Sequence, residues 1–198
     1  MMLTELESVA LRCFDERGFD VTVEEIAAEA QISPRTFYRY FPTKDDVLQV
    51  RIDRRSTALR AALAARPADE PPLHSLRVAL QEVVAAEDPE LVRRWTNVIV
   101  ATPNLLRGVV GGIQLKGHQV MADFFAARLG VPSDELVPTM VAAAVGGVIQ
   151  AAQTRWYIRG GDLATSISDA LEVLERGIGT DAATWSAAPT KSRRGAAR

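Results

Sequence analysis

Cysteine and histidine are scarce in this chain of 198 residues, which contains one cysteine and two histidines. The lone Cys13 excludes a disulfide within the chain and a zinc site built from several cysteines. His118 could ligate a metal, but its one possible histidine partner, His74, is far away in sequence, so we predict no metal site. Cys13 lies on an apolar stripe of the first predicted helix and is expected to be a small buried residue.

The motifs of common enzymes are also missing. The sequence has no glycine-rich phosphate loop, no Gly-x-Ser-x-Gly elbow and no metal-ligand spacing. A catalytic pair of carboxylates stays open, because any two acids can meet in a folded chain. We predict that the protein is not an enzyme, needs no cofactor and, since no signal peptide is visible, is cytoplasmic.

Positive and negative charges nearly balance over the whole chain, whose formal net charge is -2. The charges are nevertheless unevenly placed. Residues 1–32 contain two arginines and eight acidic residues, whereas residues 33–66 contain eight basic and three acidic residues. The second segment therefore predicts a basic surface of the kind that binds nucleic acid.

Three helix starts follow one another closely between residues 22 and 48. Thr22 and Glu25 have the spacing of a capping box, which begins a helix. Ser33 followed by Pro34 is an N-cap with proline at the first helical position, and it begins a helix of about two turns. Thr43 is expected to cap a third helix. Two short helices joined by a tight turn predict a helix-turn-helix.

The middle helix, residues 34–40, has the sequence PRTFYRY. Phe37 is expected to face inward, leaving the other side chains after the proline outward: Arg35, Thr36, Tyr38, Arg39 and Tyr40. Arginine can bond guanine through two hydrogen bonds, while tyrosine and the nearby Lys44 can reach phosphate oxygens. We therefore interpret this helix as a DNA recognition helix. The alternatives are a solvated polar face or a protein-interaction module that uses the helix-turn-helix as a scaffold.

The segments FDERGFD, TVEEIAAEA and SPRTFYRYFPTKDDVL resemble the N-terminal DNA-binding domain of the TetR family of bacterial repressors, over about residues 4–50. The resemblance implies an all-helical homodimer, with a helix-turn-helix head and a divergent ligand-binding body in each subunit. Gln31 stands where the family usually has a turn glycine. Either Gln31 adopts a left-handed backbone conformation, or the turn differs from the usual one. The basic arm that commonly precedes the first helix is absent.

The head as a whole supplies the predicted DNA-binding residues, with Lys44 at the family's phosphate-binding position. They are Thr22, Ser33, Pro34, Arg35, Thr36, Tyr38, Arg39, Tyr40 and Lys44.

The rest of the chain predicts helices throughout and hence an all-α protein. A helix that precedes these three is expected over residues 4–18, capped by Thr4 with Glu7. The helix that begins after Thr43 is expected to continue to about residue 66. Later helices are expected at about 73–87, 89–101, 104–129, 134–159 and 163–178. These give a head at 1–50 with a linking helix to 66, a ligand-binding and dimerisation domain at 67–179, and a disordered basic tail at 180–198.

An uncharged stretch of nineteen residues, Leu136 to Thr154, is long enough to cross a membrane. Because it consists largely of alanine, glycine and valine with Pro138, Gln150 and Gln153, we predict a buried packing helix and no membrane partner.

The body contains apolar stripes that form either plain core or the lining of an effector site. The segment RRWTNVIVATPNLL, the RLGV that follows and RWYIRGG loosely resemble the C-terminal domains of acyl-CoA-like TetR-type regulators, including the mycofactocin regulator. That resemblance implies an apolar tunnel for an acyl chain with cations near its mouth. The candidate ligand-binding residues are Trp95, Ile99, Leu106, Val109, Ile113, His118, Met121, Phe125 and Trp156.

Dimerisation is expected because one short recognition helix reads only a few base pairs. The last two predicted helices are the candidates, with packing inside one subunit as the alternative. The predicted interface residues are Val141, Val145, Gly146, Val148, Ile149, Ala152, Leu163, Ile167, Leu171 and Leu174. Four such helices from two subunits would form an isologous bundle. The expected partners are thus double-stranded operator DNA, a hydrophobic small molecule, for which acyl-CoA is our candidate, and a second copy.

Overall fold

The computed structural model describes residues 3–176, apart from six side chains within its helices. Those side chains belong to Pro103, Leu106, Arg107, Val109, Val110 and Tyr157. The basic tail predicted for residues 180–198 lies outside the described residues.

The described residues form nine α-helices and no strands, which confirms the predicted all-α class. The helices are α1 (Leu3–Arg17), α2 (Val23–Glu29), α3 (Pro34–Tyr40), α4 (Asp46–Ala64), α5 (Pro72–Ala85), α6 (Pro89–Ala101), α7 (Pro103–Leu129), α8 (Leu136–Arg159) and α9 (Leu163–Arg176). Their ends lie within about three residues of the predicted ends, the accuracy expected where helix termini fray.

The head core is built around the aromatic side chains of α1 and α3. Phe14, Phe37 and Phe41 are fully buried together. Helix α6 also contributes to this core, although it lies far along the chain: Trp95 is 1% exposed and its indole N–H donates to the Leu48 carbonyl at 3.1 Å. The head is therefore completed by a helix from the segment predicted to be the body.

Glu7 has a different role from the one predicted. Helix α1 begins at Leu3, so Thr4 is not its N-cap, and the Glu7 side chain is fully buried. Its carboxylate accepts two hydrogen bonds from the Arg54 guanidinium, at 2.8 and 3.0 Å. This paired arrangement is the strongest geometry for such ions, and it fixes α1 against α4.

A second core lies beyond the head, between α5, α7, α8, α9 and the distal half of α4. Leu63, Leu76, Val83, Phe125 and Val145 are among its buried members. Helix α4 contributes to both cores, because Leu48 belongs to the first and Leu59 to the second.

Helix α8 is only half buried, so the prediction of a buried packing helix needs correction. Residues Leu136–Trp156 have a mean hydropathy of 1.4 and pass a length and composition test for a membrane span, yet Ala142, Val145 and Ala152 on one face lie in the second core. Exposed residues on the opposite side of the helix form a stripe open to solvent, which we call the outer face of α8. It comprises Leu136, Met140, Ala144, Gly147, Ala151 and Ile158.

Cys13 is 1% exposed, which confirms the predicted burial. Burial raises the pKa of its thiol above the usual value, so the reactive thiolate is disfavoured at neutral pH. Cys13 is therefore a packing residue.

Candidate functional site

Helix α3 is fixed by its two ends and by one aromatic side chain. The Ser33 hydroxyl accepts a hydrogen bond from the Thr36 backbone N–H at 3.1 Å, and Pro34 occupies the first helical position, as predicted. Phe37 is fully buried, and its ring lies 5.4 Å from that of Phe41. One buried side chain on a helix of seven residues leaves the remainder outside.

The outward side of α3 carries arginine and tyrosine side chains. Arg35 and Arg39 are exposed, and Tyr38 and Tyr40 are 49% and 37% exposed. The Arg39 guanidinium lies 5.1 Å from the centre of the Tyr40 ring, a cation–π contact that limits the motion of both. The surface thus offers hydrogen-bond donors for base edges and phosphates.

Thr36 and Thr22 are more constrained than their neighbours. The Thr36 hydroxyl lies 2.9 Å from the Ser33 hydroxyl, so it is partly engaged within the helix cap. The Thr22 capping box is confirmed: its hydroxyl accepts from the Glu25 N–H, while the Glu25 carboxylate accepts from the Thr22 N–H at 2.8 Å. The hydrogen bonds from the Thr22 backbone and side chain lower the pKa of Glu25.

The Lys44 side chain is partly buried and packs against the loop between α1 and α2. Its ammonium donates to the Phe19 carbonyl and to the Val21 carbonyl at 3.3 Å, and it lies 4.4 Å from the centre of the Phe19 ring. An ammonium has three donors, so one remains after these two bonds. Lys44 as a phosphate ligand stays a prediction, and the structure adds a stabilising role in the α1–α2 loop.

The turn between α2 and α3 requires a left-handed residue, and Gln31 adopts this conformation with φ of 56°. The Ile32 N–H then donates to the Ala27 carbonyl at 2.9 Å, closing the end of α2. A side chain in this region strains the backbone, as expected for a glutamine in place of glycine.

Replacing Gln31 with glycine is therefore expected to stabilise the protein by about 0.5–1 kcal/mol, because relief of strain exceeds the entropy that glycine adds to the unfolded chain. Urea unfolding measures the change. As a control, Gln119→Gly in the exposed middle of α7 should destabilise by about 1 kcal/mol. Destabilisation by both variants would contradict the strain argument.

A cavity of about 520 Å³ lies in the body, between α4, α7 and α8. This volume is in the range of small-molecule sites. Ile52 and Leu59 of α4, Ile113 of α7, and Ala142 and Ile149 of α8 form much of its apolar lining.

The predicted ligand-binding residues divide into four groups. Ile113, His118 and Met121 line the cavity. Trp95 and Ile99 lie in the head core instead, because α6 packs on α1. Phe125 and Trp156 pack in the second core, and the side chains of Leu106 and Val109 lie outside the described residues.

Arg51 and Arg55 were missed as cavity residues because their helix was interpreted only as a link between domains. Arg51 is 5% exposed, donates to the Glu87 carboxylate at 2.9 Å and lies 4.7 Å from the centre of a Trp95 ring. Their spacing of four residues on α4 was the available signal. Through Arg51 and Trp95 the cavity wall contacts the head core.

The residues predicted for the dimer interface pack in their own subunit, which is the alternative given for them in the sequence analysis. Five are buried in the core of their own subunit: Val145, Ala152, Leu163, Ile167 and Leu171. Four are partly buried against that core: Val141, Val148, Ile149 and Leu174. Gly146 faces Met121, whose terminal carbon would lie 3.5 Å from an added Cβ.

Comparison with known proteins agrees with this arrangement. Residues 7–50 match the profile of bacterial regulatory proteins of the tetR family, and residues 70–179 match the MftR C-terminal domain. The HTH-type transcriptional regulator TcmR of Streptomyces glaucescens is 30% identical over 174 residues, which cover 82% of this chain and 76% of TcmR. The chain belongs to the TetR family.

Two other TetR-family proteins are similar over most of the chain. The proposed mycofactocin biosynthesis transcriptional regulator MftR of Mycobacterium tuberculosis is 28% identical over 169 residues, covering 84% of this chain and 83% of MftR. The crystal structure of Thermus thermophilus FadR in complex with lauroyl-CoA superposes with a TM-score of 0.57 at 21% identity, covering 96% of this chain and 100% of FadR. That superposition shows a shared fold.

TetR-family proteins are soluble DNA-binding transcription regulators rather than enzymes, and this chain has their helix-turn-helix head and helical C-terminal domain. The recognition helix inferred from PRTFYRY lies inside the matched head.

Proposed function

We propose that this protein is a cytoplasmic, ligand-responsive repressor that binds a palindromic operator as a homodimer and is released by a hydrophobic small molecule. The exposed side of α3 carries the proposal, since two arginines and two tyrosines project from a short helix fixed by Phe37. Such a helix fits the major groove, where arginine distinguishes guanine and tyrosine reaches phosphate.

A gel shift on DNA from the protein's own promoter region, repeated over a range of salt concentrations, tests operator binding. A helix that neutralises phosphates should lose affinity steeply as salt rises. A protein-interaction module would show no sequence-dependent shift at any salt concentration, and that result would refute the proposal.

Arg35→Ala is expected to cost about 1–3 kcal/mol at the cognate operator and to relax one base position, because a bidentate contact to guanine would be lost. Binding selection from random DNA followed by titration measures both effects. Tyr38→Phe is the comparison variant, since loss of a phosphate contact should weaken all sequences alike. An unchanged preference in the Arg35 variant would remove Arg35 from base recognition.

Homodimer formation through the outer face of α8 would bring two α3 helices to adjacent major grooves, about 34–36 Å apart. Leu136, Met140 and Ile158 support this proposal, because they are 75%, 56% and 77% exposed and a stable soluble protein generally covers a contiguous apolar stripe. An isologous contact places the same face of both subunits together.

Release by an effector requires that the ligand bind the non-DNA-binding arrangement more tightly. The cavity is suited to this because its wall helix α4 continues into the head, and because Arg51 contacts Trp95 in the head core. An acyl-chain compound is our candidate, with acyl-CoA suggested by the lauroyl-CoA bound to Thermus FadR. A panel of acyl-CoAs, fatty acids and aromatic drugs that left both DNA affinity and melting temperature unchanged would refute the effector role.

A further inference from the structure

Helices α4 and α7 run in the same direction along the cavity, and two exposed ion pairs between them show their register. Asp53 pairs with Lys116, and Arg60 pairs with Asp123 at 2.8 Å. In both pairs the residues are 63 positions apart. The same offset places Arg55 level with His118, and both residues line the cavity.

The basic side chains that line the cavity have no acidic counterparts in the described lining. Arg51, Arg55 and His118 belong to the lining, and no aspartate or glutamate does among the described residues. Arg51 is already neutralised by Glu87 at 2.9 Å. Arg55 is partly buried and makes no ion pair with any carboxylate in the part of the chain that the structure describes. A guanidinium held at an apolar cavity without a counterion favours an anionic ligand.

The cavity changes character along its length. On the side of the head the lining is mixed, since Gln114 of α7 donates to Gln150 of α8 and the apolar Ile113 also lies there. One turn beyond Arg55, away from the head, the lining consists of Leu59, Leu80 and Met121. A ligand that both pairs with Arg55 and packs against this apolar lining needs an acidic group and an apolar body.

We propose that the cavity binds an amphiphilic organic acid, with its anionic group between Arg55 and His118 and its apolar body directed toward Leu59 and Met121. This inference rests on the effector role proposed above and narrows the effector to acids whose charged group enters the cavity. In an acyl-CoA the acyl chain ends in an uncharged thioester, so the free acid is the better ligand.

Two fluorescent probes with the same aromatic skeleton test this assignment. 8-Anilinonaphthalene-1-sulfonate carries an anionic group, whereas N-phenyl-1-naphthylamine lacks it. Arg55→Gln is expected to weaken binding of the sulfonate by about 10-fold or more, since a hydrogen bond to an ion is lost. Binding of the neutral probe should change less than twofold. Arg60→Gln removes a positive charge from the exposed side of the same helix and should alter neither affinity.

Competition against the bound sulfonate tests which chemical class of ligand the cavity prefers. Decanoic acid is expected to compete more strongly than decanol or decanoyl-CoA. Equal loss of both probes in Arg55→Gln, equal competition by acid and alcohol, or no binding of either probe to the wild type would overturn the proposal. Operator binding of the wild type is measured in parallel: its absence would refute the repressor function while the probe titrations still decide the acid specificity.

Discussion

Replacing Gly147 with leucine is expected to lower operator affinity by about 10²–10⁴-fold, because separated heads lose the effective concentration that a linked partner supplies. Gly147 lies at the centre of the outer face of α8, and an added Cβ meets no atom within 4 Å in the isolated subunit. A Cβ there meets no neighbour in one subunit, and leucine raises helix propensity, but the longer side chain obstructs a closely packed partner helix.

Sedimentation velocity and far-UV circular dichroism separate dissociation from unfolding in this variant. The helical signal should persist while the sedimentation coefficient falls to that of a monomer. Ala85→Leu is the control, since it adds bulk at an exposed position of α5, a helix that contacts α4 and α9. Because Gly147 also borders the cavity, Met140→Glu provides a second test at the same outer face, at a residue that does not belong to the lining. Persistent dimers with full operator affinity in both variants would place the interface elsewhere.

Replacing Arg54 with leucine is expected to destabilise the protein by about 2–3 kcal/mol, because it leaves the buried Glu7 carboxylate without its partner. The two sides of this pair differ, since the Glu7 side chain is fully buried whereas the Arg54 side chain is 48% exposed. Glu7→Leu should cost less, because the released guanidinium can turn into water.

A double-mutant cycle measured by urea unfolding tests this asymmetry. The variant with leucine at both positions should be more stable than Arg54→Leu alone, since no buried charge remains. Arg60→Leu, which breaks the exposed pair with Asp123, is the control and should change stability by less than about 1 kcal/mol. If Arg54→Leu were no worse than this control, the buried pair would contribute little.

The head was largely predictable because its signals are local. The capping box at Thr22, the Ser33–Pro34 cap and the inward Phe37 each act within four residues, so their spacing in the sequence identifies them. The Glu7–Arg54 pair joins residues 47 positions apart, and no local pattern shows that two such side chains meet. The structure was needed to assign Glu7.

The cavity lining and the inward face of α8 were predicted less well for a related reason. Helix α8 carries apolar residues on both of its faces, so periodicity indicated a helix without showing which stripe faces the core. Arg55 is level with His118 only because α4 and α7 run side by side in one register. A helix pairing of this kind is a tertiary property that one sequence does not display.

The position of α6 in the head core sets a limit on exchanging heads between relatives. The recognition helix is supported by a unit that is discontinuous along the chain, made of α1–α4 and α6. A hybrid joined after residue 50 would pack Trp95 of one parent against the head core of the other. A hybrid regulator that keeps both its fold and its operator preference should therefore take residues 3–64 and 89–101 from the same parent.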